Sequence, residues 1–244
     1  MGCVADETAS AVRYGFKEHV FQSSGQIAVK EHEKNNVGDH VNQMFHHRKV
    51  KVELHVRVNF VGGTIIETTQ TPGVYISNDA LDGLYISDLS SITAAFDKND
   101  QFRLVKSNLL VTGIVHDKTL ISMGLLVKTW AHIPHGSGLG TSSILAAAVV
   151  KGLLHIFDGD ESNENVARLV LVLEQIMGTG GGWQDQIGGL YPGIKFTTSF
   201  PRISLRLEVM SLLASPRLIT ELQERLLVVF TGQVSWEMGR NGHI

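Results

Sequence analysis

The sequence predicts an α+β domain with its helices on one side of a sheet. Three observations lead there. Near residue 50, apolar side chains begin to recur at every second position, the period of a half-buried strand. In the second half, two strongly helical runs follow each other, "ILAAAVVKGLLHIF" and "NENVARLVLVLEQIM". Strands and helices intermix, yet the alternating strand edges do not suit a fully parallel sheet.

Residues 1–48 are polar and irregular, and read as a linker or a weak helical arm. Gly2-Cys3 resembles an acylation start, but Asp6 stands where a myristoylation site requires Ser or Thr. His40, His46 and His47 have no Cys or carboxylate at a metal-site spacing and read as surface residues. The domain is expected over 49–232, with an irregular tail at 233–244.

In "KVKVELHVRVNFVGG", Val52, Leu54, Val56, Val58 and Phe60 alternate with polar residues. One strand is expected here, ending at Gly62-Gly63 where the backbone can turn. "TPGVYIS" and "GLYIS" read as short strands. "SITAAFDKNDQFRLVKSNLLVTGIVH" is helical, with a turn at Lys98-Asn99-Asp100. "ISMGLLVKTWAHIP" reads as a strand running into a glycine-rich loop. A helix is expected from Ser143 to about Phe157, stopped by "DGDES". The next helix is capped by Ser162 or Asn163, carries Glu164 in its first turn and ends in "GTGGGW". "IGGLYPGIKFTT" reads as a strand region punctuated by glycines. Ser215-Pro216 suits the start of a short helix. "LLVVFTG" reads as a buried strand.

The 244 residues are 43% apolar and 18% charged, enough to build a core. A net charge of −3, from 21 basic and 24 acidic residues, gives no concentrated basic patch, so nucleic acid is not an expected partner. The one cysteine, Cys3, cannot close an intramolecular disulfide. The N-terminus has no apolar run long enough for a signal peptide or membrane span, and a soluble cytoplasmic protein is expected.

The chemistry centres on "HIPHGSGLGTSSILAAA", residues 132–148. Glycines let a ligand approach the backbone closely. The first N–H groups of the following helix have no intrahelical partners, and the helix dipole is positive there. Together these favour a phosphate. The spacing matches neither the P-loop nor the dinucleotide fingerprint. The second cluster is "LEQIMGTGGGWQDQIGGL". Glu174 lies near a helix C-terminus, where the dipole disfavours a carboxylate, a cost that a bound metal ion would offset. Asp185 follows in a glycine-rich stretch between two glutamines.

Phosphoryl transfer needs a phosphate cradle, Mg²⁺, a group for the hydroxyl proton, and a cation for developing charge. The loop offers the cradle through Gly136 to Ser143. Ser142 and Glu174 offer oxygen ligands for Mg²⁺. Asp185 offers the base, and Arg57 the cation.

"PHGSGLGTSSILA" resembles the second motif, Pro-x-x-x-Gly-Leu-Gly-Ser-Ser-Ala, of the kinase superfamily of galactokinase, homoserine kinase, mevalonate kinase and phosphomevalonate kinase (GHMP). With "TGGGWQDQIGGLYPGIK", it is most similar to the branch that phosphorylates L-fucose, with the heptose-phosphate kinases next. The resemblance runs from about Lys51 to Gly232. It implies the N-terminal domain of that superfamily, with a fold like domain 2 of ribosomal protein S5. It implies ATP as donor, Mg²⁺, and L-fucose phosphorylated at its anomeric hydroxyl. The alternatives are a heptose or other sugar kinase, or an inactive nucleotide- or sugar-binding fragment.

By the same resemblance, Pro134, Gly136, Ser137, Gly138, Leu139, Gly140, Thr141, Ser142 and Ser143 hold the nucleotide. Ser142 and Glu174 hold the metal, Asp185 takes or orients the sugar proton, and Arg57 assists. Gly62, Gly63, Glu67, Gly182 and Asp185 face the sugar. The first motif departs from the family's GGWSDTPP. It reads "GGTIIETTQTPG", with Glu67 as the replacement for the missing aspartate. The stretch from Gly73 to Ser91 looks too short for the family's strands there. A fragment lacking the C-terminal domain is expected.

Overall fold

The computed structural model describes residues 47–56, 60–79, 81–97, 99–116, 123–132, 140–200 and 206–227. Five strands form the main sheet: β1 (Lys49–Val56), β2 (Phe60–Thr69), β3 (Gly73–Asn78), β4 (Leu81–Ile86) and β5 (Gly124–Ala131). Their order is β1-β2-β5-β3-β4. β1 with β2, β2 with β5, and β3 with β4 are antiparallel, whereas β3 and β5 run parallel. A parallel pair cannot be joined by a tight turn. Between β3 and β5 the chain accordingly passes through β4, a 3₁₀ segment (Leu89–Phe96) and α1 (Arg103–Val111).

The period of two decides which face is covered. Val50, Val52 and Leu54 of β1 are buried, as are Ile66 of β2, Val74 and Ile76 of β3, and Leu125 and Val127 of β5. The intervening residues point the other way. There Lys51 Nζ sits 5.6 Å from the centre of the Trp130 ring, and Lys49 pairs with Glu67 at 2.8 Å. The helices stack on the apolar face. α2 (Thr141–Ile156) lies over β1 and β2, and α3 (Asn163–Met177) packs against α1 and α2. α2 is apolar on most sides, from Ile144 to Leu154, because it is sandwiched between sheet and helices.

α3 is capped by Ser162, whose hydroxyl accepts from the N–H of Asn165 at 3.3 Å. It ends at Gly178 in the left-handed conformation. α4 (Gln184–Leu190) follows, then the antiparallel hairpin β6 (Lys195–Phe200) and β7 (Arg206–Ser211), and finally α5 (Pro216–Arg225). Ser215 caps α5 by accepting from Leu218 N–H at 3.2 Å. α5 buries none of its residues.

Three expectations are corrected and one is met. The long alternating run is two strands, not one, and Gly62-Gly63 lie inside β2, paired with Ala131 and Trp130. "IGGLYPGIKFTT" begins as the helix α4 and becomes a strand only at Lys195. The stretch after Gly73 holds the two short strands expected there, β3 and β4. Leu226 and Leu227 are exposed rather than buried, and the rest of "LLVVFTG" lies outside the described residues.

Candidate functional site

Two acids, Glu174 and Asp185, meet the first turn of one helix that begins more than thirty residues before them. Gly140 precedes α2 with φ +74°, a conformation that side chains with a Cβ rarely adopt. A Cβ on Gly140 would lie 2.6 Å from the carboxyl carbon of Asp185 and 2.8 Å from its Oδ2. Asp185 is therefore packed directly against the start of α2, where the dipole favours a negative group. One turn on, the Ser143 hydroxyl donates to Glu174 Oε1. Glu174 is 7% exposed.

Each acid is positioned by its element. Glu174 lies in the last turn of α3, where Thr179 closes the end. Its N–H and its hydroxyl each reach the Glu174 carbonyl oxygen at 3.1 Å. The glycine run then folds back, and Gly181 packs on the Glu174 carboxylate. Asp185 sits in the first turn of α4, not in a loop. The far end of α4 is tied down twice. Asn163 Nδ2 donates to the Leu190 carbonyl at 2.9 Å, and Lys151 Nζ donates to Asn163 Oδ1 at 2.9 Å. Lys195 Nζ caps the carbonyl of Tyr191 and approaches that of Gly188 at 3.4 Å, a cation at the negative end of a helix. Burial lowers the pKa of the Lys195 ammonium.

The remaining expected site residues divide. Thr141, Ser142 and Ser143 open α2; Ser142 is exposed, and Ser143 is the hydroxyl that meets Glu174. Gly62 and Gly63 lie at the end of β2 that pairs with Ala131 and Trp130, where β5 leaves the sheet towards the loop. Gly182 borders open space. Pro134, Gly136, Ser137, Gly138, Leu139 and Arg57 lie outside the described residues.

Glu67 is not brought to this cluster. It points from the face opposite the helices, five residues along β2 from Gly62, which is about 17 Å of strand. Its carboxylate is held by Lys49 at 2.8 Å and His47 at 2.7 Å. Burial acts to raise its pKa, but the hydrogen bonds and charges of Lys49 and His47 outweigh it and hold the carboxyl below the usual glutamate range.

Two residues escaped the sequence reading. Gln186 is fully buried beside Asp185, and its amide has no partner among the described residues. Gly181 seats Glu174, yet in sequence it is one glycine among several. The donor set at the start of α2 suits a divalent cation. Carboxylate and hydroxyl oxygens are the hard ligands that Mg²⁺ takes, and it keeps waters and phosphates for the rest of its shell. The described residues contain no group of three or more His, Cys, Asp or Glu side chains that could hold a metal by themselves. None of their helices is long and apolar enough to cross a membrane.

Residues 104–193 match the GHMP kinases N terminal domain. The chain is 60% identical over 262 aligned positions to the bifunctional fucokinase/GDP-fucose pyrophosphorylase of Arabidopsis thaliana, covering 96% of this chain and 24% of that protein. It is 52% identical over 73 residues to the L-fucokinase/L-fucose-1-P guanylyltransferase of Bacteroides fragilis, covering 30% of this chain and 8% of the relative. The chain thus spans at most about a quarter of the length of either relative. A D-glycero-D-manno-heptose 1-phosphate kinase from Bacteriodes thetaiotaomicron has a similar fold, with TM-score 0.56 and 22% identity over 72% of this chain and 55% of its own. Residues 104–193, which run from α1 to α4, are thus the segment of this chain that is similar to the GHMP kinases N terminal domain.

Proposed function

We propose that the chain is the nucleotide- and sugar-binding part of an ATP-dependent kinase that phosphorylates L-fucose at its anomeric hydroxyl. The observation that carries this reading is the convergence of Glu174 and Asp185 on the first turn of α2. The relatives named as fucokinases support the choice of sugar.

In this reading, ATP phosphates lie along residues 134–143 and the N-terminus of α2, whose free N–H groups and dipole favour anions. Glu174 and Ser142 are the ligands offered to Mg²⁺, which when bound draws charge from the phosphates. Asp185 accepts the proton of the sugar C1 hydroxyl. That oxygen bonds to the γ-phosphorus, and the bond from phosphorus to the bridging oxygen of ADP breaks. The products are fucose 1-phosphate and ADP. Arg57 is the cation proposed to assist Asp185. The N-terminal end of α2 stabilises charge developing on the transferred group.

A panel of sugars tests the assignment, with ADP release measured beside calorimetric binding of ATP and each sugar. L-fucose is expected to support turnover well above D-galactose or a heptose phosphate. Turnover on a heptose phosphate alone would replace the sugar. Binding of ATP and fucose without turnover would make this chain a binding module.

A further inference from the structure

We propose that Ser143 and Gly181 act together as the positioning pair for Glu174 and set the affinity of the site for its divalent cation. The inference rests on the reading of Glu174 as a cation ligand. Glu174 is in a costly place. It is nearly buried, at the C-terminal end of α3, where the turn of its own helix offers the side chain no free backbone donor. Its neighbours hold it there in one position. Thr179 fixes its backbone carbonyl, and Ser143 donates a hydrogen bond to Oε1.

Gly181 completes the arrangement. A Cβ there would come within 3.3 Å of the Glu174 carboxyl carbon and closer still to Oε2. Only a glycine lets the loop close over the carboxylate without displacing it. Ser143 is also a neutral donor. It orients the carboxylate but leaves its negative charge for a cation, which an Arg or Lys in that position would neutralise. Outer contacts of this kind typically change metal affinity by about 10–100-fold when removed. Ser143 lies one residue beyond Ser142, the hydroxyl that the motif resemblance offers to the metal. The two serines thus divide the work: one is offered as ligand, the other aims the carboxylate.

The test is Mn²⁺ binding to the 244-residue chain, followed by electron paramagnetic resonance. It runs beside ATP affinity in EDTA and thermal unfolding. Ser143→Ala is expected to weaken Mn²⁺ binding by about 10–100-fold, a larger factor than any loss of metal-free ATP affinity, in a chain that still unfolds cooperatively. Ser143→Thr, which keeps a hydroxyl, is expected to restore most of the loss. Gly181→Ala is expected to weaken Mn²⁺ binding with Ser143 intact. Glu174→Gln separates the two levels. If it leaves Mn²⁺ binding unchanged, the reading of Glu174 as a ligand fails. If it abolishes binding while Ser143→Ala and Gly181→Ala bind as the native chain does, only the positioning role fails. Equal loss of metal-free ATP affinity in Ser143→Ala would make Ser143 a nucleotide contact and overturn the proposal.

Discussion

At Gly140 the backbone enters the left-handed region and passes within contact distance of Asp185 before α2 begins. Two costs fall on any side chain there. The conformation costs a residue with a Cβ roughly 1–2 kcal/mol, and the Cβ itself would collide with the Asp185 carboxyl. Gly140→Ala is therefore expected to lose at least that stability in denaturant unfolding and to displace Asp185, so that turnover falls as well. A variant as stable and as active as the native chain would show that Asp185 does not depend on this contact. The neighbouring residues show what sequence can convey at this scale. Glu174 stood out because the helix dipole disfavours a carboxylate at a C-terminus, and Asp185 because it follows in a glycine-rich stretch between two glutamines. Gly181 did not, because its role is a missing atom rather than a present one.

At the scale of elements, long periodic segments were legible. α2, α3 and β5 lie close to where their apolar spacing put them, and Ser162 and Ser215 cap the helices they precede. The run from Lys49 to Gly63 was read as one strand because alternation continues through Arg57 and Asn59. The pairing of Val56 with Phe60 instead makes it a hairpin, and nothing in a period of two marks a reversal. α4 was hidden for a different reason. Gly188 and Gly189 lower helix propensity, so the stretch read as a broken strand. Tertiary packing favours the second of them, since a Cβ on Gly189 would lie 2.8 Å from Ile144 Cγ1 on α2. The capping contacts of Asn163 and Lys195 hold the short helix from its other end. Those contacts join residues 27 and 4 positions apart, and local propensity cannot see the first of them.

At the scale of the whole molecule, the sheet separates two environments. Its apolar face carries the helices and the candidate site. Its other face carries the Lys49, Glu67 and His47 cluster. The position of Glu67 was misread because its motif neighbours set the expectation, while strand alternation turned its side chain to the opposite face. The cluster gives the fold an acid sensitivity. Folded Glu67 holds its proton less tightly than the unfolded chain does. The unfolded state therefore binds more protons below about pH 4.5, and the stabilisation present above that pH is lost as pH falls through the folded value. Unfolding free energies of the native chain and Glu67→Gln are expected to differ at pH 7 and to converge as pH falls through and below the lowered folded value. A difference that stays constant over that range would remove Glu67 as a source of acid sensitivity. The distribution of exposed apolar residues is also uneven. Phe196, Met210, Leu213 and Leu227 are exposed in or beside the β6–β7 hairpin and α5, although Leu207 and Val209 of β7 pack against the core.

In the proposed function, one carboxylate at the start of α2 accepts a proton while the other serves the cation. Turnover of L-fucose by Asp185→Asn, measured beside its Mg²⁺ and ATP affinities, tests this division most directly. The expected result is a fall in fucose 1-phosphate formation of about 10²–10⁴-fold, with Mg²⁺ and ATP bound as tightly as by the native chain. Native turnover in the Asn variant, or ATP affinity lost in step with turnover, would contradict it.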